Sequence, residues 1–130
     1  MFLTIGDTEY TLQTTLGTAE SIEIKFQKPL MDVLIGIESA VIKELVTIIA
    51  IAAGKIGDSK LNEDIKAHMD YIELQSAVME LLARMMFSGT AEQVEKKLDK
   101  FAGGEQAKNV LRGLLGLPMP EPVTPSTGND

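Results

Sequence analysis

The segment Ser39 to Ala53, SAVIKELVTIIAIAA, is the most continuously apolar passage of the chain and constrains everything around it. Read as a helix, it confines its polar side chains to Lys43, Glu44 and Thr47, a narrow stripe at i, i+1 and i+4. The remaining circumference is Val, Ile, Leu and Ala. A helix apolar on nearly all sides belongs in a core, a bilayer or an interface with another copy. A membrane span needs about 20 mostly apolar residues, whereas the longest charge-free run within this passage is Leu45 to Gly54. No membrane partner is expected, which leaves core and interface.

A chain of 130 residues is the size of one domain, with enough length to bury a real but modest core. Its six aromatic residues include no Trp, while Met occurs seven times, so that core must be built from aliphatic side chains and adaptable thioethers. Nineteen Asp and Glu against 12 Lys and Arg, a formal charge of −7, remove the electrostatic support that binding along a nucleic acid needs. The charge is uneven. Residues 1–83 hold 13 acids against six Lys, and residues 84–120 hold four acids against six Lys and Arg. Such asymmetry could help copies dock head to tail, but ordinary solvated helix faces are the better explanation. Without Cys there is no disulfide framework, thiolate metal site or cysteine nucleophile. MFLTIGDTEY at the start lacks the basic and apolar regions of a signal peptide.

Phe2–Ile5 and Thr8–Leu12 read as two short strands around Gly6-Asp7, a pair suited to a type II′ turn. Leu3 and Ile5 fall on one face of the first strand, and Thr8, Tyr10 and Leu12 on one face of the second. An isolated hairpin is marginal in water, so this one must rest on helices. From Thr15 the period becomes helical. Leu16, Ala19, Ile22 and Phe26 mark a short amphipathic helix; Pro29 opens the next, with Leu30, Val33, Leu34 and Ile37 apolar and Gly36 keeping it short. Ser39 is the expected cap of the central helix and Gly54 its C-terminal stop. After Gly57-Asp58-Ser59, the residues Leu61, Ile65, His68 and Ile72 form one stripe, with a break expected near Glu73 to Gln75. Val78, Leu81, Leu82, Met85 and Met86 form a second strong stripe ending at Ser88-Gly89. Thr90-Ala91-Glu92-Gln93 is a capping box opening a helix with Val94, Leu98 and Phe101 on its apolar side. Gly103-Gly104 ends it, and a last helix from Glu105 carries Val110, Leu111, Leu114 and Leu115. The fold expected is therefore mainly α. A hairpin over about 2–12 precedes five to seven short helices around the central one at about 39–53. Residues 1–117 form one domain, within which 89–117 is an accessory helical pair. The Pro-rich end, 118–130, is expected to be a disordered tail.

Catalytic or cofactor chemistry has little to work with. His68 is the only histidine and sits on an otherwise apolar stripe, where Asp64, four residues earlier, lies within reach. The acidic pairs Glu63-Asp64 and Glu20/Glu23 match helix first turns and solvated faces rather than a metal site. No phosphate-binding glycine loop is present, and Lys96, Lys97 and Lys100 are interleaved with Glu95 and Asp99. No catalytic, cofactor or metal residue is assigned, and a non-enzymatic protein is expected.

The stretch LTIGDTEYTLQTTLGTAESIEIKF, followed by KPLMDVL, an apolar helix ending in Gly, and IGDSKLNEDIKAHMDYIELQSAVMELLARM, resembles the small tail assembly chaperones of long-tailed phages and gene transfer agents over residues 3–88. The resemblance implies a non-enzymatic, late-expressed assembly factor. Such a protein coats the helical tape measure protein, recruits tail tube protein, self-associates as a homo-oligomer, works in the host cytoplasm and is absent from the mature virion. The residues after Gly89 have no clear counterpart in the shorter members. The alternative is another small helical interaction or regulatory protein of phage or bacterial origin.

Apolar surface in excess of one core tends to become an interface. The surface expected to meet a partner or a second copy is Val41, Ile42, Leu45, Ile48 and Ile49 of the central helix with Val78, Leu82, Met85 and Met86 of the later stripe. Exposed methionines from Met79, Met85 and Met86 would offer an adaptable seat for a partner helix.

Overall fold

The computed structural model describes residues 1–101 and 104–118. Strands β1 (Phe2–Ile5) and β2 (Thr8–Thr11) form an antiparallel hairpin in which Ile5 faces Thr8, leaving Gly6-Asp7 as a two-residue turn. Gly6 has φ +61° and Asp7 a negative φ, the pattern of the expected type II′ turn. Ile5, Tyr10 and Leu12 are buried and Leu3 and Thr8 half-buried, so the alternation read from the sequence holds.

Seven α-helices follow among the described residues: α1 (Leu16–Phe26), α2 (Leu30–Ile35), α3 (Ile42–Ala53), α4 (Ser59–His68), α5 (Tyr71–Met86), α6 (Ala91–Asp99) and α7 (Gly104–Leu114). The central helix of the fold is α3, packed against α1, α4, α5 and β2; α5 also touches α1, α2 and α7. The main core joins Leu45, Ile48, Ile49 and Ala52 of α3 to Leu74, Val78, Leu81 and Leu82 of α5, with Ile22, Val33, Ile37, Leu61 and Ile65 around them.

Local chemistry explains most boundaries. Thr15, Asp58 and Thr90 accept backbone N–H groups at the starts of α1, α4 and α6. Gly54, at φ +68°, ends α3: its N–H donates to Ile51 O at 3.1 Å and the Lys55 N–H to Ala50 O at 2.9 Å, a Schellman pairing. A third carbonyl of that last turn, Ala52 O, accepts from Gln13 N–H at 2.8 Å where the chain leaves the hairpin.

Three boundaries differ from the sequence reading. Ser39 does not cap α3; it closes a 3₁₀ turn over Gly36–Ser39, and Val41 precedes the helix. Valine has no side-chain acceptor, so the only capping contact there is from Val41 N–H to the Glu44 carboxylate at 3.3 Å. Pro29 stands just outside α2, whose first N–H, at Leu30, donates to the carboxylate of Glu23 on α1 at 2.7 Å. The break expected near Glu73 to Gln75 falls at Met69 and Asp70. Met69 is extended, Asp70 and Glu73 form a reciprocal capping box, and α5 restarts in a new phase that turns Ile72 outward.

The accessory pair α6 and α7 packs on the far end of α5. That helix, about 24 Å long at ~1.5 Å per residue, leaves the main core and enters a second cluster of Ala83, Phe87, Val94, Leu98 and Leu111. Phe87 and Phe101 meet edge to face there, with ring centroids 5.6 Å apart. Arg112 Nε donates to Glu95 Oε1 at 2.9 Å and holds α7 to α6. Gly103, and the Pro-rich stretch from 119 onward, lie outside the described residues.

Candidate interaction surfaces

The nine residues expected to form an interaction surface are not one surface. Leu45, Ile48 and Ile49 of α3, and Val78, Leu82 and Met85 of α5, are buried in the protein's own core. The reason is that α3 and α5 turn their richest faces toward each other, so the apolar surplus of one covers that of the other. Met86 is half-buried in the second cluster. Only Val41 and Ile42, 60% and 50% exposed, remain at the surface, at the start of α3.

Two apolar grooves lie elsewhere. One, of about 640 Å³, runs between α3 and α4. Ile42, Val46 and Ala50 form its wall on α3, Leu61 lies on α4, and Ile56 stands exposed in the connecting loop. Of the expected polar stripe of α3, exposed Lys43 and half-buried Thr47 line this groove and Glu44 does not, while Ile42, Val46 and Ala50 share that water-facing side. Lys43, Lys55 and Lys66 stand around the groove against a single acid, Asp58. Lys55 pairs loosely with Asp58 at 3.9 Å; among the described residues Lys43 and Lys66 form no ion pair.

The other groove, about 630 Å³, lies where α7 meets the body. Met31, Leu34 and Ile35 of α2, Met79 of α5, Phe101, and Val110 and Leu111 of α7 line it, with Glu38 and Gln106 as its polar members. It exists because α2 is only six residues long. Val33 and Ile37 take the core positions, Leu34 turns to the second cluster, and Ile35 is left outside. Of the three methionines expected to form an adaptable seat, Met79 alone lines this groove, and Met31, which the sequence reading passed over, joins it.

No family model, curated protein or solved structure matches this chain.

The geometry therefore has to speak from its own side chains. Among the described residues, the titratable groups with shifted protonation form one cluster, which joins the hairpin to α4. The Tyr10 hydroxyl donates to Asp64 Oδ2 at 2.6 Å, and Lys60 Nζ donates to the same oxygen at 2.9 Å and to Thr8 Oγ1 at 3.2 Å. Both hydrogen bonds hold the Asp64 carboxyl below the usual carboxylate range, that from Tyr10 contributing most. The same bond to Asp64, helped by burial, pushes the Tyr10 phenol up, and the bond to Asp64 raises Lys60 as well. Asp64 is thus engaged by Tyr10 and Lys60 rather than by His68, the neighbour expected from helical spacing. His68 is exposed and its ring lies over the hairpin turn: a Cβ on Gly6 would come 2.7 Å from the ring carbon Cδ2. Neither of the two apolar grooves is lined by Thr8, Tyr10, Lys60 or Asp64. Among the described residues no group of three or more His, Asp and Glu is placed to hold a metal ion, and no helix is long and apolar enough to cross a membrane. The lysines of α6 are a solvated face: Lys96 pairs with Glu92 at 3.5 Å, and Lys97 Nζ donates to Ser88 O at 2.6 Å.

Proposed function

We propose that this protein is a non-enzymatic tail assembly chaperone that holds an extended helical partner, the tape measure protein of a long-tailed phage, in the host cytoplasm. It delivers that partner to tail tube protein and is left out of the finished virion. Two independent lines support the reading: the resemblance carried by residues 3–88, and the methionine-lined groove between α2, α5 and α7.

The groove is the observation that carries it. Exposed Ile35 and Val110 line an apolar groove together with Met31, Met79 and Phe101. An amphipathic helix docks in such a groove through anchors spaced i, i+3 or i+4 and i+7. Methionine, unbranched and polarizable, adapts to anchors of differing shape. A tape measure presents a long succession of similar apolar turns rather than one unique peptide, so a tolerant seat suits it better than a rigid pocket.

Co-expression of the full chain with the tape measure protein of the same genome tests the proposal. The expected result is a soluble complex that survives size-exclusion chromatography. Ile35→Asp with Val110→Asp, two exposed positions, should abolish the complex while leaving the helical circular dichroism unchanged. A tape measure protein that stays insoluble, or one solubilised equally by the double variant, overturns the proposal in the first case and the assignment of the groove in the second.

A further inference from the structure

The α3/α4 groove has no part in that function, and its polar groups are sorted along its length. A short connection, Gly54 to Asp58, makes α3 and α4 antiparallel neighbours, so the start of α3 and the end of α4 meet at one end of the groove. Lys43 and Lys66, both exposed, stand at that end, and Asn62 lies one turn inward from Lys66. Val46, Ala50 and Leu61 continue the lining toward Ile56 in the loop. We infer that this groove binds a free fatty acid. The carboxylate sits between Lys43 and Lys66, and the single alkyl chain lies along Val46, Ala50 and Leu61.

Charge selects an anion and puts it at one end. In a chain of net charge −7, Lys43 and Lys66 line the same groove and form no ion pair among the described residues. Two like charges at one end of a groove repel until an anion enters between them. Lys55, the third lysine of the groove, stands at the loop end and is paired with Asp58 at 3.9 Å. The groove therefore offers a place for a head and a place for a tail rather than a uniformly basic rim. Asn62 is half-buried, and its side chain makes no hydrogen bond among the described residues. Its amide N–H groups can join Lys66 in holding a carboxylate.

The lining selects an alkyl chain. Thr47, the hydroxyl on the α3 wall, already donates to Lys43 O at 2.7 Å. An extended peptide would carry an N–H and a C=O with each residue into a trough that meets them with Val46, Ala50 and Leu61 side chains. An alkyl chain brings no polar atom and strands none. The size agrees. About 640 Å³ falls within the ~300–1,000 Å³ of small-molecule sites, and the α3 wall from Lys43 to Ala50 runs about 10 Å at ~1.5 Å per residue. The site needs no helical partner, so it stands or falls separately from the tape measure reading.

Calorimetric titration of the full chain with laurate, below the concentration at which laurate forms micelles, tests it. The expected result is saturable one-to-one binding that weakens with added salt and tightens by up to about fourfold per methylene from decanoate to laurate. Dodecyltrimethylammonium, the same chain length with a cationic head, should bind at least about tenfold more weakly, since it meets Lys43 and Lys66 with a like charge. Lys43→Glu with Lys66→Glu should lose laurate binding and Lys43→Arg with Lys66→Arg should keep it, with circular dichroism confirming that both variants fold. A natural chain that binds no laurate, or binds it only as micelles, overturns the inference. So does equal binding of the cationic amphiphile, or of laurate by the Glu variant. A chain that sediments with phosphatidylglycerol vesicles yet ignores monomeric laurate overturns it too, because the groove would then read a lipid surface rather than a free fatty acid.

Discussion

Tyr10 on β2 and Asp64 on α4 lie 54 positions apart in sequence and share a 2.6 Å hydrogen bond, with Lys60 as the second donor to the same carboxylate oxygen. This is the polar staple that holds the hairpin on the helices. A hairpin of two strands has little stability of its own, and this contact adds to the burial of Ile5, Tyr10 and Leu12 in the main core that docks it.

The staple should be pH-dependent in a defined sense. The folded Asp64 carboxyl titrates below its ordinary range, so its contribution is present above that range and disappears as pH falls through the depressed value. Tyr10 and Lys60 are shifted up, so theirs is full below their ordinary ranges and lost as pH rises through the raised values. Urea midpoints measured from acid to alkaline pH should therefore separate the natural chain from Asp64→Asn at neutral pH and bring the two together in acid. Tyr10→Phe should cost about 1 kcal/mol near neutrality, the worth of one hydrogen bond.

Gly6→Ala should destabilise by about 1–2 kcal/mol, because a left-handed backbone is unfavourable for any residue with a Cβ and because that Cβ would meet the His68 ring at 2.7 Å. The two causes are separable. In a double-mutant cycle with His68→Ala, the steric part should vanish and the backbone part persist. Strict additivity of the two substitutions would show that the ring moves aside without cost.

Removing the borrowed cap of α2 should cost about 1 kcal/mol, a typical value for a lost N-cap. Glu23→Ala leaves the Leu30 N–H without its acceptor, whereas Glu23→Gln retains a neutral oxygen and should lose less. Thermal denaturation of the two variants distinguishes them, and equal losses would mean that charge rather than the hydrogen bond holds the site.

The second cluster should open before the first. Leu98→Ala, at a fully buried position, should cost about 2–5 kcal/mol if the cavity stays empty. The loss should fall on α6 and α7, seen as faster amide hydrogen exchange there with the α3 amides unchanged. Uniform acceleration throughout the chain would mean instead that the two clusters unfold as one.

Much of the architecture was legible because its signals are local. Gly6-Asp7 between β-branched and aromatic runs, the Thr90–Gln93 box, Asp58 before α4 and Gly54 after α3 each act through contacts a few residues away. The Asp70–Glu73 box is equally local and marks the true start of α5; it was overshadowed by the stripe that runs on from Ile65 to Ile72. Ser39 misled for the opposite reason. It is a good cap placed two residues too early, in a 3₁₀ turn whose position depends on Ile37 packing inward and on Tyr71 and Gln75 of α5 donating to the carbonyls of Ala40 and Ile37.

The interaction surfaces show where sequence stops. Periodicity identified Leu45, Ile48, Ile49, Val78 and Leu82 as strongly apolar, and it placed Leu16 among the buried residues of α1. It does not say which apolar face another helix covers. In the fold, α3 and α5 cover each other and bury the first five, while no described element covers Leu16, Ile24 or Ile35, which are left outside. Sequence alone determined that this chain would be helical, capped at particular residues and built around one apolar segment, because turns, caps and helical period are short-range properties. Only the tertiary structure decided which of its many aliphatic side chains are core and which are surface, because burial depends on partners that arrive from distant parts of the chain.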